Sequence, residues 1–235
     1  MPAGKAVSSD PVEDAGIWYT YTTDGETATP CTTRTDAYLY DVPTAFGVKA
    51  EEITYGTRDQ FKSGEFVGNF RTFEGTQGIC PPGWYIPTRA DFLKLVGASN
   101  ADQTTGETKA IDDPTALYYE QINSGGSTVK RFNAEGWNFS FMGCRSKAST
   151  TQEGSYNAAA PIDDTKCSEP SWYGLPGLNQ IMTSTPYRPN VAGTNVQFFC
   201  MMTTFTSNYK EGRLSLSYGN YLHGMEVRCV RKATE

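Results

Sequence analysis

The chain has 235 residues, a formal net charge of −6 and no cluster of Lys and Arg. Because nucleic-acid binding normally needs a basic stripe that neutralises phosphates, nucleic acid is not expected as a partner. No run approaches the roughly 18 apolar residues of a membrane helix, so we expect no membrane span in this chain.

The first residues predict a polar lead-in followed by one domain. Residues 1–16 are small, polar and acidic, which is typical of a flexible segment. The run 17–22 is rich in strand formers and ends at the turn signal Asp24-Gly25. We therefore predict a flexible lead-in over 1–16 and a single domain over 17–235.

Two helices are predicted next. Thr88 and Asp91 have the spacing of a capping box, and the apolar residues that follow lie on one helical face until Gly97. Asp113 is a favoured N-cap residue, and the helix that it begins ends at Gly125.

Short apolar or alternating runs replace helical patterns after residue 127. These runs predict strands over 137–142, 196–202, 213–218 and 225–230. The segment 146–195 is rich in Ser, Thr, Pro, Asn and Gly, which predicts a long loop insertion. Helices followed by a loop-rich antiparallel region indicate an α+β fold.

The six cysteines are dispersed and contain no C-x-x-C pair, so a zinc ribbon or thioredoxin-like site is not expected. An even, dispersed set is typical of disulfides in an oxidising compartment, and the alternative is buried free thiols. The cysteines are Cys31, Cys80, Cys144, Cys167, Cys200 and Cys229.

In four segments, 78–92, 224–232, 132–145 and 11–19, the chain resembles the Fibrobacter succinogenes major paralogous domain family. The segment 78–92, GICPPGWYIPTRADF, is similar to the family hallmark, and 224–232, GMEVRCVRK, is similar to its terminal motif. Weaker similarity lies in 132–145, which ends in G-C-R, and in 11–19, PVEDAGIWY. The resemblance implies a C-type-lectin-like fold, and it implies a lipoprotein or pilus-associated protein of the Bacteroidetes or Fibrobacteres.

The resemblance also implies a disulfide. In this fold a cysteine that leads into the first helix commonly bridges to one in the last strand, and Cys80 and Cys229 occupy those places. Cys144 and Cys200 stand where the family usually has aromatic residues. A second bridge between them is an open alternative.

A contact patch is expected near the end of the chain, where the resemblance places ligand-binding loops and strands. The stretch 213–224 is rich in Tyr, Ser, Asn and Gly, the residue types of adaptable recognition surfaces. The alternative is an ordinary exposed strand and turn. The expected contact residues are Tyr209, Arg213, Ser215, Ser217, Tyr218, Asn220, Tyr221 and His223.

The same stretch contains no Lys, Glu, Gln, Met or Trp. Every residue in it is therefore compatible with a codon that ends in a pyrimidine. Such a pattern is similar to the mutagenised patch of variable proteins from diversity-generating retroelements, which also have a C-type-lectin fold.

Catalytic and metal-binding functions have little support in the sequence. The one histidine, His223, rules out a histidine-rich zinc site, and no cofactor is expected. Formylglycine-generating enzymes have a similar fold, but their characteristic G-G-S-W run is absent, so they remain a distant third hypothesis. Glu169-Pro170-Ser171 distantly resembles a calcium-lectin element, although a polar loop is the simpler interpretation.

We therefore expect a non-enzymatic, extracellular or cell-surface recognition module whose partner is a protein or glycan on a cell or host surface. The alternative is a structural subunit or tip of a bacterial surface fibre that has no soluble ligand.

Overall fold

In a computed structural model of the chain, the described residues are 5–10, 13–23, 28–31, 38–95, 143–146, 171–173, 178–189, 196–205 and 212–231. The predicted second helix after Asp113 and the predicted strand 137–142 lie outside these residues.

The described elements combine a few short helices with small antiparallel sheets, as expected for an α+β fold. The helices are α1 (Val42–Phe46), α2 (Arg58–Lys62) and α3 (Arg89–Leu95), with 3-10 turns at Ala50–Glu52 and Phe70–Phe73. The strands are β1 (Ile17–Tyr19), β2 (Tyr21–Thr23), β3 (Ala28–Pro30), β4 (Tyr38–Tyr40), β5 (Trp84–Tyr85), β6 (Cys144–Ser146), β7 (Ser171–Tyr173), β8 (Leu178–Pro189), β9 (Val196–Phe205), β10 (Gly212–Asn220) and β11 (Val230–Arg231).

Helix α3 begins where the sequence predicts it. The Thr88 backbone N–H donates to Asp91 Oδ2 at 2.8 Å, and the Asp91 N–H donates back to Thr88 Oγ1 at 3.2 Å. These reciprocal bonds form the predicted capping box. The Tyr85 hydroxyl also donates to Asp91 Oδ1 at 3.0 Å, which ties the helix start to β5.

Helices α1 and α2 were not predicted. Each has five residues, which is too short to show a 3.6-residue apolar period. The start of α1 is fixed by Asp41, whose carboxylate accepts from the Thr44 N–H at 2.9 Å. Gly47, at φ 77°, ends the helix in a left-handed conformation that favours glycine.

The largest sheet has the strand order β10-β9-β8. The predicted strands 196–202 and 213–218 are confirmed as parts of β9 and β10. The prediction of a loop over 146–195 is wrong for β7 and β8, since β8 is a twelve-residue strand.

The N-terminal strands also differ from the prediction. The predicted strand 17–22 is divided at Thr20 into β1 and β2, which pair with β4 and β3 respectively. The expected lead-in is attached to the domain: Ser8 donates its N–H to the Ile17 carbonyl at 2.9 Å and accepts from the Tyr19 N–H at 3.0 Å.

The main core lies between α1, the 3-10 turn at Phe70–Phe73 and one face of the large sheet. Its fully buried members are Val42, Ala45, Ile86, Met182, Val196, Phe198, Cys200 and Met225. Ile181 and Met201 are opposite each other in the register between β8 and β9 and are also buried, so residues from both alternating sets are inaccessible to solvent there. Among the described residues, no helix is long and apolar enough to cross a bilayer.

Candidate functional site

Most of the expected contact residues lie on β10 or directly after it. Arg213, Ser215 and Ser217 occupy register positions opposite Thr204, Met202 and Cys200 of β9. Tyr209 lies outside the described residues, as do the side chains of residues 212–217. The backbone therefore places the expected patch along one nine-residue strand at the edge of the large sheet.

Tyr218 is half-buried and belongs to a stack of aromatic rings. Its ring centroid lies 4.9 Å from that of Tyr187, which lies 5.0 Å from that of Phe199. The Arg89 guanidinium stands 4.7 Å above the Phe199 ring. Tyr187 and Phe199 are only 4% and 5% exposed, so the Tyr218 ring packs against buried aromatic residues.

Sequence analysis missed this support. Tyr187 lies in the segment predicted to be a loop, and Phe199 lies in the predicted strand 196–202 without an assigned role. The available signal was the run Val196–Phe199, whose aromatic residues are typical of a strand.

Asn220 organises the turn that follows β10. Its side-chain Oδ1 accepts from the Leu222 N–H at 3.0 Å, and its carbonyl accepts from the His223 N–H at 2.9 Å. The residue is half-buried, so it combines a turn-forming role with a position beside Tyr218.

Tyr221 was expected in the contact patch, but its side chain is 8% exposed and belongs to the main core. Its ring meets that of Tyr55 at 6.0 Å, edge to face. Burial, together with Tyr221, raises the pKa of Tyr55. Tyr221 therefore acts as a core residue because the turn after β10 directs it inward.

His223 was also expected in the patch, and it is buried at 5% exposure. Burial, and secondarily the positive charge of Arg145, lowers its pKa to about 3. The imidazole is therefore neutral at physiological pH. Like Tyr221, this residue is inside the protein and is unavailable to a ligand.

Arg145 is a buried centre at which three of the motif segments meet. Its guanidinium stands 3.9 Å above the Trp18 ring and donates to the carbonyls of Leu222 at 3.2 Å and Glu13 at 3.4 Å. A Cβ placed on Gly224 would lie 3.0 Å from Arg145 Cβ and 3.2 Å from Trp18. A side chain at this position would therefore press on both neighbours, which favours glycine where the backbone approaches this closely.

The charge of Arg145 is held in a largely buried setting, with 1% of the residue exposed. Burial lowers the pKa of its guanidinium, while the carboxylates of Asp14, Asp41 and Asp10 oppose that effect. The arrangement is a buried charge balanced by several acids, which is a structural feature rather than an open anion site.

The fourth motif segment joins the same region through a disulfide. Cys80 and Cys229 are bonded with their Cα atoms 5.7 Å apart, as the resemblance implied. Cys144 and Cys200 are both buried and are not bonded to each other, so the structure does not contain the alternative bridge. Burial raises the pKa of the Cys200 thiol to about 12.

Metal-binding chemistry finds no geometric support in the described part of the chain. No group of three or more His, Cys, Asp or Glu side chains is close enough together there to hold an ion. Of the calcium-lectin-like run, Glu169 and Pro170 lie outside the described residues, and Ser171 begins β7.

Comparison of the chain with protein-family models, with curated proteins and with solved structures finds no match. Function is therefore inferred from the residues and their geometry.

Proposed function

We propose that the protein is a surface-exposed recognition module that binds a protein or glycan ligand through β10 and the adjoining turn. The observation that carries this proposal is Tyr218, a half-buried aromatic residue near the end of an edge strand, supported by the buried rings of Tyr187 and Phe199. A rigid aromatic side chain offers a large contact area at a low cost in conformational entropy.

The proposed contact set is Tyr209, Tyr218 and Asn220. Strand alternation places Arg213, Ser215 and Ser217 on the opposite face of β10, the face of the buried Cys200, so these expected contacts are left out of the proposed set. Tyr221 and His223 are excluded from the proposed contact set and assigned to the scaffold because both are buried. In this proposal the residues up to Asn220 recognise the ligand, and those after it attach the strand to the core.

We also propose a C-type-lectin-like scaffold of the Fibrobacter succinogenes major paralogous domain type. The support is spatial: three motif segments contact one another around Arg145, and the fourth is bonded to the terminal motif through Cys80–Cys229. Segments far apart in the sequence that form one buried centre are what a shared scaffold requires.

The proposed location is extracellular or on the cell surface, in a lipoprotein- or pilus-associated setting. The disulfide supports this location because such bonds persist mainly in oxidising compartments. A non-catalytic role is supported by the shifted pKa values of His223 and Cys200, about 3 and about 12, which are unfavourable for a general base and a nucleophile at neutral pH.

The binding proposal is tested on a printed array of bacterial and mammalian glycans and on an array of extracellular proteins. Tyr218→Ala should weaken any specific signal by about 30-fold or more, as expected for a central aromatic contact. Tyr38→Ala is the matched control, since Tyr38 is also half-buried but lies on β4. Equal binding by both variants, or loss only in Tyr38→Ala, would contradict the proposed site.

Genetic diversification of the patch is a separate part of the proposal. It predicts a near-repeat of the codons for 197–229 in the neighbouring DNA, differing at adenines, beside a reverse-transcriptase gene. If sequencing of the neighbouring DNA finds no such repeat, the proposal of genetic diversification is wrong, and the proposal of ligand binding is unaffected.

A structural subunit of a surface fibre is the second candidate, and the attachment of Ser8 to β1 favours it. Residues 5–10 are held mainly by polar contacts, including Lys5 Nζ to Thr44 Oγ1 at 2.6 Å, so another copy can supply the same bonds. Exchange of this segment between copies predicts a ladder of polymers on size-exclusion chromatography that disappears when residues 1–10 are deleted. Persistence of the ladder after deletion would reject the exchange.

A further inference from the structure

The two outer strands of the large sheet differ in how their edges are protected. β8 contains Pro186 and Pro189, its pairing with β9 has register shifts at Pro186, and its other side carries bridges from Gly143 and Glu226. Prolines, irregular pairing and covering segments are the usual means by which a sheet edge is kept from pairing with another chain.

In the part of the chain that the structure describes, β10 has none of these features. It pairs with β9 at nine successive register positions without a shift, and it contains neither Pro nor Lys. Within the described ranges, no strand pairs with β10 on the side away from β9. A long, regular and nearly uncharged edge is a template for a further strand.

We propose that β10 pairs antiparallel with β10 of a second copy, so that two three-stranded sheets become one six-stranded sheet. The sequence of the strand is self-complementary about Leu216. In that register Leu214 stands opposite Tyr218, and Ser215 stands opposite Ser217. Aliphatic–aromatic and hydroxyl–hydroxyl pairs are favourable cross-strand neighbours.

Charge does not oppose this arrangement along the strand. The single charged residue of β10, Arg213, stands opposite Gly219 of the other copy, so the two arginines lie at opposite ends of the paired strands. A twofold axis at Leu216 gives a closed dimer rather than an open fibre. The dimer forms through the backbone edge without a ligand, and it brings Leu214 of one copy beside Tyr218 of the other.

Disulfide trapping tests the register. In the Leu216→Cys variant the two introduced thiols face each other across the axis at about 4.5–5.5 Å between Cα atoms, within disulfide range. In the matched control, Leu214→Cys, the two thiols lie about 14 Å apart along the strands. Mild oxidation should therefore give at least about tenfold more cross-linked dimer for Leu216→Cys than for the control.

Sedimentation of the unaltered chain gives a second measurement that does not depend on a variant. We expect a monomer–dimer equilibrium that shifts toward the dimer as protein concentration rises. A monomer at every concentration, or equal cross-linking of the two variants, would overturn the proposal. Exchange of the N-terminal segment would give polymers, and the two cysteine variants would then cross-link equally. If the protein binds no ligand but still forms the dimer, only the proposed function fails.

Discussion

Tyr218 lies on β10 and Tyr221 lies in the turn that follows it, and the two side chains differ in burial. The first is half-buried on the edge strand, whereas the second is 8% exposed within the main core. The segment after β10, residues 221–231, is here called the closing segment. Its backbone pairs with β4 and with β8, since Met225 exchanges hydrogen bonds with Tyr40 and Glu226 forms a bridge with Ile181.

This comparison shows how the same residue types can serve two purposes in adjacent stretches. Within the described ranges, β10 contributes one regular strand that pairs with β9. The closing segment is joined to the rest of the protein by a disulfide, by Arg145 and by several backbone bonds. Substitutions on β10 are therefore expected to destabilise the fold less than substitutions in the closing segment.

The largest expected effect comes from the disulfide that anchors the closing segment. The bond joins residues separated by 149 positions. The chain-entropy model gives a loop of that length about 5 kcal/mol of stabilisation. We expect the Cys80→Ala/Cys229→Ala variant to lose most of this free energy of unfolding in urea denaturation.

Reductant supplies the control for the disulfide. It should destabilise the unaltered protein by a similar amount and leave the double variant unchanged. If the double variant were as stable as the oxidised protein, the closing segment would not depend on its covalent tie.

Replacement of Arg145 should have the next largest effect. Arg145→Met removes the positive charge that faces Asp14 and Asp41 and the two bonds to carbonyl groups. Breaking a buried charge arrangement by removing one side typically costs about 3–5 kcal/mol. Arg231→Met is the matched control, because Arg231 is exposed on β11, and it should change the free energy of unfolding by less than about 0.5 kcal/mol.

Alanine substitution of the two tyrosines tests the comparison directly. Tyr221→Ala should cost about 3 kcal/mol because it leaves a cavity in the core. Tyr218→Ala should cost about 1 kcal/mol, mainly its ring contact with Tyr187. The free energy of unfolding of both variants is measured by thermal and urea unfolding. A larger loss for Tyr218→Ala than for Tyr221→Ala would contradict the assignment of Tyr221 to the scaffold and Tyr218 to the contact surface.

Local sequence signals predicted the elements whose pattern repeats or is capped. The Thr88–Asp91 pair identified the start of α3, and the runs 196–202 and 213–218 identified β9 and β10. The Cys80–Cys229 bond followed from the family resemblance rather than from spacing.

β8 could not be predicted because its buried positions carry polar residues. Asn179, Gln180, Thr183 and Ser184 have no exposed surface, and a sequence rich in such residues normally indicates a loop. Tertiary contacts compensate for several of them: Thr183 Oγ1 donates to the Phe199 carbonyl at 2.6 Å, and Ser184 Oγ donates to the Ile86 carbonyl at 2.9 Å. Those partners are distant in the sequence and give no local signal.

The division between patch and scaffold was equally hidden from sequence patterns. The stretch 213–224 is uniform in composition, so nothing local distinguishes the half-buried Tyr218 from the buried Tyr221. The distinction arises at the turn after Asn220, where the Tyr221 N–H donates to the Val196 carbonyl of β9 and the Tyr221 carbonyl accepts from the Val42 N–H of α1.

The last expected effect concerns pH and the closing segment. In the unfolded chain His223 takes up a proton near its ordinary pKa of 6.5, whereas in the folded protein its pKa is about 3. The unfolded state therefore binds more protons between these values, and the free energy of unfolding falls as the pH falls through this window. From pH 7 to pH 5 this group should remove about 2 kcal/mol.

His223→Gln isolates that contribution, because other titrating groups are common to both proteins. The variant should lose less stability than the unaltered protein between pH 7 and pH 5 in urea titrations, whatever its stability at pH 7. A histidine exposed in a contact patch would titrate near 6.5 in both states and give parallel curves. Parallel curves would therefore mean that His223 is exposed, and the contact surface would then extend past Asn220 to include it.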